Sequence, residues 1–312
     1  MFDVVPFIVP FTRYPYSGSP VACDLCGAAD HVTVCTHDRR LKKLETVACA
    51  QCGLMRTNPM PTEQEIVDYY KNLYRLDYGM TSTKPSRRHL NRSHRQAANR
   101  LALLAPVLSK PARILDFGSG AGVFLHHAKQ AGHTVIGVEP GKEFARFAAS
   151  EFGVDVINDV WEKTALPGKF DVITTVEVIE HLRRPVLALR WLADALKEDG
   201  VLYVTVPDMS PNDRETFRRF HFAHLYQFTP QTLIWAAAQA GLEPDPRFQP
   251  KRTQIVFRKT RTPPAPLIFP KAQGLEVAKL YPHSSVAGYI FSLRWLGSLV
   301  FRIRKTLRDS LG

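Results

Sequence analysis

The chain has 312 residues, with 41 Lys and Arg against 29 Asp and Glu, for a formal net charge of +12. Hydrophobic residues make up 45% and charged ones 22%, enough apolar material for one large domain with additions or for two domains; collagen-like, coiled-coil and wholly disordered chains are excluded. Residues 251–312 hold 12 Lys and Arg against only Glu276 and Asp309, which leaves the rest nearly neutral and argues against a main cleft that tracks DNA or RNA.

Residues 1–20 form an N-terminal arm. Its apolar stretch is broken by Pro6 and Pro10 and follows no basic segment, so no secretory signal is expected and the protein is placed in the cytoplasm. Over residues 21–62, Cys23, Cys26, Cys49 and Cys52 form two C-x2-C pairs with 22 residues between them, each followed by a glycine, Gly27 or Gly53. Two residues between cysteines let both thiolates face one ion, and the glycine allows a tight turn that aims N–H groups at sulfur. Four thiolates close a tetrahedral zinc sphere with no position left for water, so one structural zinc is expected. Disulfides are the alternative, and a cytoplasmic address disfavours them. Cys35 is left as a spare thiol.

Residues 63–109 read as a helical linker or lid. Thr62 is the expected N-cap of a short helix with acids in its first turn. A second helix is expected from Arg87 to Leu108, basic in its first half and apolar in its second. Residues 84–100 hold six Lys and Arg and no acid. This is either a solvated face, which is preferred, or a clamp over an anionic ligand.

From Lys110 short apolar runs alternate with helical stretches. Strands are expected at Arg113–Phe117, Thr134–Glu139, Val154–Ile157, Phe170–Val176 and Val201–Val206, with helices at Val123–Ala131, Glu143–Phe152 and Pro185–Leu196. Such βαβ repetition gives an α/β fold with a parallel sheet covered on both faces. A helix at Thr232–Ala240 and two late strands, near Leu242–Phe248 and Gln254–Arg258, would complete the sheet.

The first of these strands runs into Asp116-Phe117-Gly118-Ser119-Gly120-Ala121-Gly122 and then a helix. Glycines here let backbone approach a ligand and leave N–H groups at a helix N-terminus. The spacing is G-x-G-x-G rather than the dinucleotide G-x-G-x-x-G. Asp116 would repel a pyrophosphate but suits an ammonium group, and Glu139, ending the next strand, can accept hydrogen bonds from both hydroxyls of a ribose. Ammonium plus ribose points to S-adenosylmethionine.

With these motifs, together with Gly137-Val-Glu-Pro, Phe170-Asp-Val-Ile, Glu177-Val-Ile-Glu-His-Leu and Gly200-Val-Leu-Tyr-Val-Thr-Val-Pro, residues 110–260 resemble the class I S-adenosylmethionine-dependent methyltransferases. The resemblance implies a Rossmann-like seven-stranded methyltransferase sheet with a reversed last hairpin, here carrying a small N-terminal zinc ribbon and helical additions. It also implies that Asp116 and the glycines Gly118, Gly120 and Gly122 hold the amino-acid end of the cofactor. Glu139 would hold its ribose, and Asp159 and Val160 would flank adenine. The cysteine pairs followed by Asn58-Pro-Met-Pro-Thr-Glu look like a bacterial subgroup linked to sugar, polysaccharide or natural-product methylation.

Methyl transfer is an in-line displacement that needs positioning and water exclusion, and a base only for a weakly acidic acceptor. Residues 110–260 lack cysteine, which excludes a thiolate adduct, and the Asn/Asp-Pro-Pro-aromatic tetrapeptide of amino-group methylases is absent after the fourth strand. Glu177, Glu180 and His181 share one face if a helical turn starts there. They resemble the E-x-x-E-H segment of ubiquinone-type O-methyltransferases, where magnesium can bind; a plain N-terminal helix turn is the preferred alternative. His224, within His221-Phe-Ala-His-Leu-Tyr, is the candidate base or a wall of the cofactor pocket. In sugar C-methyltransferases with a similar zinc domain a Glu-His pair supplies the base, and Ala223 stands here where that Glu would be. The expected function is O-methylation of a sugar, glycan or small metabolite. An RNA methyltransferase and a non-catalytic cofactor-binding scaffold are the alternatives.

Residues 261–312 form a basic amphipathic tail. Ser285–Leu311 reads as a helix with Tyr289, Leu293, Leu296, Val300, Ile303 and Leu307 on one stripe and Arg294, Arg302, Lys305 and Arg308 mainly opposite. Its partner would be the body or a second subunit, as in a homodimer, or peripherally an anionic membrane surface.

Overall fold

The computed structural model describes residues 5–70, 74, 85–108, 110–212, 214–261, 266–281, 288 and 291. Its first unit is an antiparallel sheet of β1 (His31–His37), β2 (Lys43–Cys49) and β3 (Met55–Asn58), preceded by a one-turn helix, α1 (Val5–Ile8). Thr62 then caps α2 (Glu63–Asp68) in a reciprocal capping box with Glu65, as the sequence predicts. The long helix α3 (Arg87–Leu104) starts at Ser86, whose hydroxyl accepts from the His89 N–H. It ends four residues earlier than expected because Pro106 turns Ala105–Val107 into a 3-10 segment.

The second unit follows the predicted alternation closely: β4 (Arg113–Phe117), α4 (Val123–Gln130), β5 (Thr134–Val138), α5 (Lys142–Phe152), β6 (Val156–Ile157), β7 (Phe170–Val176), α6 (Pro185–Ala195) and β8 (Leu196–Thr205). A two-residue strand, β9 (Tyr226–Gln227), comes next, then α7 (Pro230–Gln239), β10 (Leu242–Pro244), β11 (Gln254–Lys259) and α8 (Gln273–Lys279). The large sheet has the order β10-β11-β8-β7-β4-β5-β6. Its five inner and early strands run parallel, whereas β11 is antiparallel to both β8 and β10, the reversed hairpin expected of this architecture. Strand order reverses between β4 and β7, so the loops leaving their carboxyl ends diverge and open a crevice.

Both faces of the sheet are covered. Ile114, Val172 and Val201 pack toward α4 and α3, while Leu115, Ile173 and Leu202 pack toward α6 and α7 through Leu189, Leu192 and Leu233. Alternation along each strand divides these residues between the two faces.

Two features cross the expected domain boundaries. β9, from the chain segment following β8, pairs antiparallel with β3 and becomes the fourth strand of the N-terminal sheet. α8, within the expected basic tail, packs on that same sheet; Val277 and Tyr281 are buried with Val34, Ala48, Met209 and Phe220. Gly274 allows the approach, since a Cβ there would lie 2.3 Å from the Cys49 carbonyl oxygen. The expected tail helix Ser285–Leu311 lies outside the described residues, apart from Gly288 and Phe291. Among the described residues no helix is long and apolar enough to cross a membrane.

Candidate functional site

The glycine turn between β4 and α4 lines one side of the crevice. Gly118, Gly120 and Gly122 all have positive φ, and the reasons differ. A Cβ on Gly118 would fall 2.2 Å from Val178 Cγ2, across the crevice in the loop after β7, and one on Gly122 would fall 2.5 Å from Ala148 Cβ. At Gly120 nothing lies within 4 Å. Gly118 and Gly122 are therefore required by packing as well as by backbone conformation, and Gly120 opens onto free space where a ligand can approach. The N–H groups are less available than the sequence suggests. Those of Gly118 and Ser119 donate to the Val138 carbonyl, and that of Gly120 donates to Glu139 Oε2 at 2.9 Å.

The two acids lie where predicted, each with partners. Glu139, at the carboxyl end of β5, is buried and also accepts from the Gly141 N–H at 2.8 Å, so it ties the glycine turn to the start of α5. Asp116 is buried, and its Oδ1 accepts from Thr174 Oγ1 at 2.6 Å and from Arg100 Nη1 at 3.0 Å. Burial pushes its carboxyl up, and Arg100 and Thr174 oppose that. Arg100 was not singled out by the sequence beyond its membership in a basic helix face. It reaches the site because α3 lies over α4, with its guanidinium 4.2 Å from the Phe124 ring centroid. Asp159 is exposed, and its Oδ1 accepts from the Val160 N–H at 2.8 Å. Asn158 donates to the Glu139 and Pro140 carbonyls, which fixes this loop beside the second acid.

The third group departs from the expectation. Residues 177–181 do not form an α-helical turn with Glu177, Glu180 and His181 on one face. Glu177 takes a positive φ of 54° and turns its side chain to solvent, and only Ile179–His181 form a 3-10 turn. The cluster that does form is Glu180, His181 and His224, with one potential ligand atom from each within 4.8 Å of the others. His181 Nδ1 lies 2.7 Å from the Ala223 carbonyl, which can only accept, so Nδ1 carries the proton and Nε2 presents a lone pair 3.8 Å from Glu180 Oε1. Glu180 is 1% exposed and neither carboxyl oxygen has a hydrogen-bond partner. Burial, with the charge of Glu177 added, raises its carboxyl well above the ordinary range. Burial likewise lowers His181 to about 4 and His224 well below the usual histidine range, so both rings are neutral near pH 7. Tyr70 and Tyr74 contact the His181 ring edge-on, and Tyr70 donates to the Ala223 carbonyl at 3.1 Å. A divalent cation held by two imidazole nitrogens and one carboxylate would be a transition ion rather than magnesium, which prefers oxygen.

The cysteines converge as the spacing predicts. Cys23 Sγ is 3.5 Å from Cys52 Sγ, Cys26 Sγ is 3.4 Å from Cys49 Sγ, and all four sulfurs lie within 4.8 Å of one another. None forms a disulfide, and the separations approach the roughly 3.8 Å edge of a tetrahedral tetrathiolate with Zn–S of about 2.3 Å. The Gly27 and Gly53 N–H groups close the turns onto the Cys23 and Cys49 carbonyls rather than onto sulfur. Cys35 stands apart, its thiol donating to the His37 carbonyl. Beside the cluster, Asp24 accepts from the Val186 N–H at the start of α6, at 2.7 Å.

A family profile described as a methyltransferase domain matches residues 87–246. Ubiquinone biosynthesis O-methyltransferase of Bordetella pertussis is 31% identical over 156 residues, covering 42% of this chain and 62% of the relative. The same enzyme of Aeromonas salmonicida is 30% identical over 106 residues, covering 32% of this chain and 44% of the relative. The chain thus spans about half the length of the curated relatives it matches. Among solved structures, the Burkholderia thailandensis 1,6-didemethyltoxoflavin-N1-methyltransferase with S-adenosylhomocysteine is 20% identical with a TM-score of 0.48, covering 68% of this chain and 96% of that one. The amino pentose methyltransferase CalS10 of Micromonospora echinaspora, bound to S-adenosylmethionine, is 19% identical with a TM-score of 0.45, covering 55% and 92%.

The buried histidines make stability depend on pH with a definite sign. An unfolded histidine titrates near 6.5, whereas His181 in the fold titrates at about 4. Above about pH 6.5 both states are neutral and the contribution is fully present. Between 6.5 and about 4 the unfolded chain binds a proton that the folded chain refuses, so stability falls as pH falls, by roughly 2 kcal/mol from His181 alone at about pH 5. Urea unfolding at about pH 7.5 and about pH 5 measures this, and equal stabilities would show that the ring is accessible in solution.

Proposed function

The chain belongs to the class I S-adenosylmethionine-dependent methyltransferases, and from that premise we propose that it methylates an oxygen of a sugar, glycan or small metabolite. The observation that carries this reading is the Glu180–His181–His224 group, with Glu180 and His181 buried and His224 partly so, walled by Tyr70 and Tyr74, at the carboxyl edge of the sheet that also presents the glycine turn. Such a group can receive a hydroxyl and take its proton. The printed names of the curated relatives, O-methyltransferases, agree with an oxygen acceptor.

The cofactor supplies an electrophilic methyl group on a sulfonium. The chain's own residues then have separable tasks. Arg100 and Asp116, a buried ion pair, present a positive and a negative group to the carboxylate and ammonium of a zwitterionic amino-acid end. Glu139 accepts hydrogen bonds from the ribose hydroxyls, and Gly120 leaves room for the ligand beside it. Tyr70, Tyr74 and Phe222 exclude water from the acceptor side. His224, neutral near pH 7, accepts the proton as the acceptor oxygen bonds to the methyl carbon and the carbon–sulfur bond breaks. His181, anchored on Ala223 by Nδ1, keeps its ring 4.9 Å from that of His224 and fixes the pair's orientation.

Glu139→Ala should raise the Kd for S-adenosylhomocysteine roughly 10- to 150-fold, because a charged acceptor of several hydrogen bonds is lost. Unchanged affinity in calorimetry refutes the ribose assignment. His224→Ala should leave that affinity within about twofold while cutting transfer of labelled methyl to the active fraction of cell extract by about 10²–10⁴-fold. Equal losses in both would make His224 a wall of the cofactor pocket instead.

We further infer that the four cysteines hold one structural zinc. Purified, chelator-free protein should contain about one zinc per chain, and Cys26→Ser should lose it while Cys35→Ser keeps it. Plasma emission analysis that finds no zinc in the parent protein overturns the assignment.

A further inference from the structure

A second concavity opens on the same edge of the sheet. It is a cleft of about 660 Å³ at the carboxyl edge of β8 and the start of β11, and its lining includes Asp208, Arg214, Lys251 and Arg252. Arg219 belongs to the same electrostatic neighbourhood. Burial lowers its guanidinium below the ordinary arginine range, Tyr281 and Asp208 oppose this, and the nearby charges of Arg214 and Arg252 add to it. Three cations and one carboxylate, that of Asp208, thus line the cleft, and Arg252 already pairs with it. Among the described residues Arg214 and Lys251 have no carboxylate partner. Asp213 lies outside the described residues. Holding like charges close is unfavourable unless an anion offsets them.

A backbone hydrogen bond links the wall of the cleft to the loop that carries Glu180. Thr205, in its wall, accepts the Glu177 N–H at 2.8 Å, three residues before Glu180. The segment after β8 carries Arg214 and Arg219 at one end and His221 and His224 at the other. Arg219 is fixed between them, donating to the Ser210 carbonyl at 2.5 Å with its guanidinium over the Tyr281 ring. The volume falls within the range of small-molecule sites.

We propose that this cleft binds a phosphate-class anion carried by the methyl acceptor, with Arg214, Lys251 and Arg252 as its ligands, while the hydroxyl to be methylated reaches His224. The inference rests on the methyltransferase reading above and narrows its acceptor to phosphorylated compounds. Guanidinium groups suit this task because they meet phosphate oxygens in a bidentate fork. Three cations, Arg214, Lys251 and Arg252, line this one cleft.

The test uses the full chain saturated with S-adenosylhomocysteine and inorganic pyrophosphate as the probe. Calorimetry at low salt should show pyrophosphate binding that weakens about tenfold or more in Arg214→Gln combined with Lys251→Gln, with S-adenosylhomocysteine affinity unchanged. In a transfer assay on cell extract, pyrophosphate should compete with the methyl-accepting fraction, and phosphatase treatment of that fraction should abolish acceptance. Acceptance that survives phosphatase, or pyrophosphate binding equal in parent and variant, overturns the proposal. Loss of S-adenosylhomocysteine binding in the parent protein would instead remove the methyltransferase reading on which it stands.

Discussion

Reversal of strand order between β4 and β7 is the constraint from which the rest of the site follows. A parallel sheet that grows outward in both directions from one pair must send the two loops above that pair apart. The contact between Gly118 and Val178 shows how narrow the base of that gap is, because a single added methyl would collide across it. Everything with chemical character stands on its rim: Asp116 and the glycine turn above β4, Glu139 above β5, and Glu180 and His181 above β7. Cofactor and acceptor groups are thereby brought together by topology, with no need for a dedicated interdomain hinge.

The pairing of β9 with β3 adds a second constraint. The segment between β8 and α7 crosses the sheet edge without regular structure for most of its length, and its buried backbone groups need partners. The N-terminal sheet supplies them: the Thr57 N–H donates to the Leu225 carbonyl, and Arg56 pairs in register with Tyr226. Gln227 then donates to the His224 carbonyl at 2.7 Å. The ribbon is consequently part of the wall that holds His224, and the cysteine cluster lies at the end of the sheet bearing that wall. Phe222 extends the wall toward the N-terminal arm by stacking on Tyr14, with Phe7 and Tyr69 at its edges.

How much of this was legible in the sequence depended on range. The βαβ alternation, the cysteine convergence, the glycine turn and the two strand-end acids are set by local patterns of period two, period 3.6 and fixed spacing, and they appear in the expected order, although β8 begins five residues before its expected start at Val201. What escaped was set by contacts distant in sequence. Nothing around Tyr226 announces a strand, because a two-residue ladder has no periodicity to display. Arg100 resembles the other basic residues of α3, and only the packing of α3 across α4 selects it to meet Asp116. Glu177 and Glu180 are indistinguishable by spacing. A helical turn would have aligned both, but the positive φ at Glu177 sends one to solvent and leaves the other buried.

Charge burial gives the site its remaining character. The Asp116 carboxyl is pushed up by burial, and Arg100 and Thr174 oppose that push from within the fold. Glu180 has no such compensation. An unpartnered carboxylate at that depth would be strongly unfavourable, which favours its protonated form, 3.8 Å from the Nε2 lone pair of His181. In that state the acceptor side is uncharged at its centre and cationic in the neighbouring cleft. A sulfonium brought to the crevice would add another positive charge near that rim. An acceptor that carries its own anion into the cleft offsets this accumulation, and leaves a neutral hydroxyl to meet a neutral histidine.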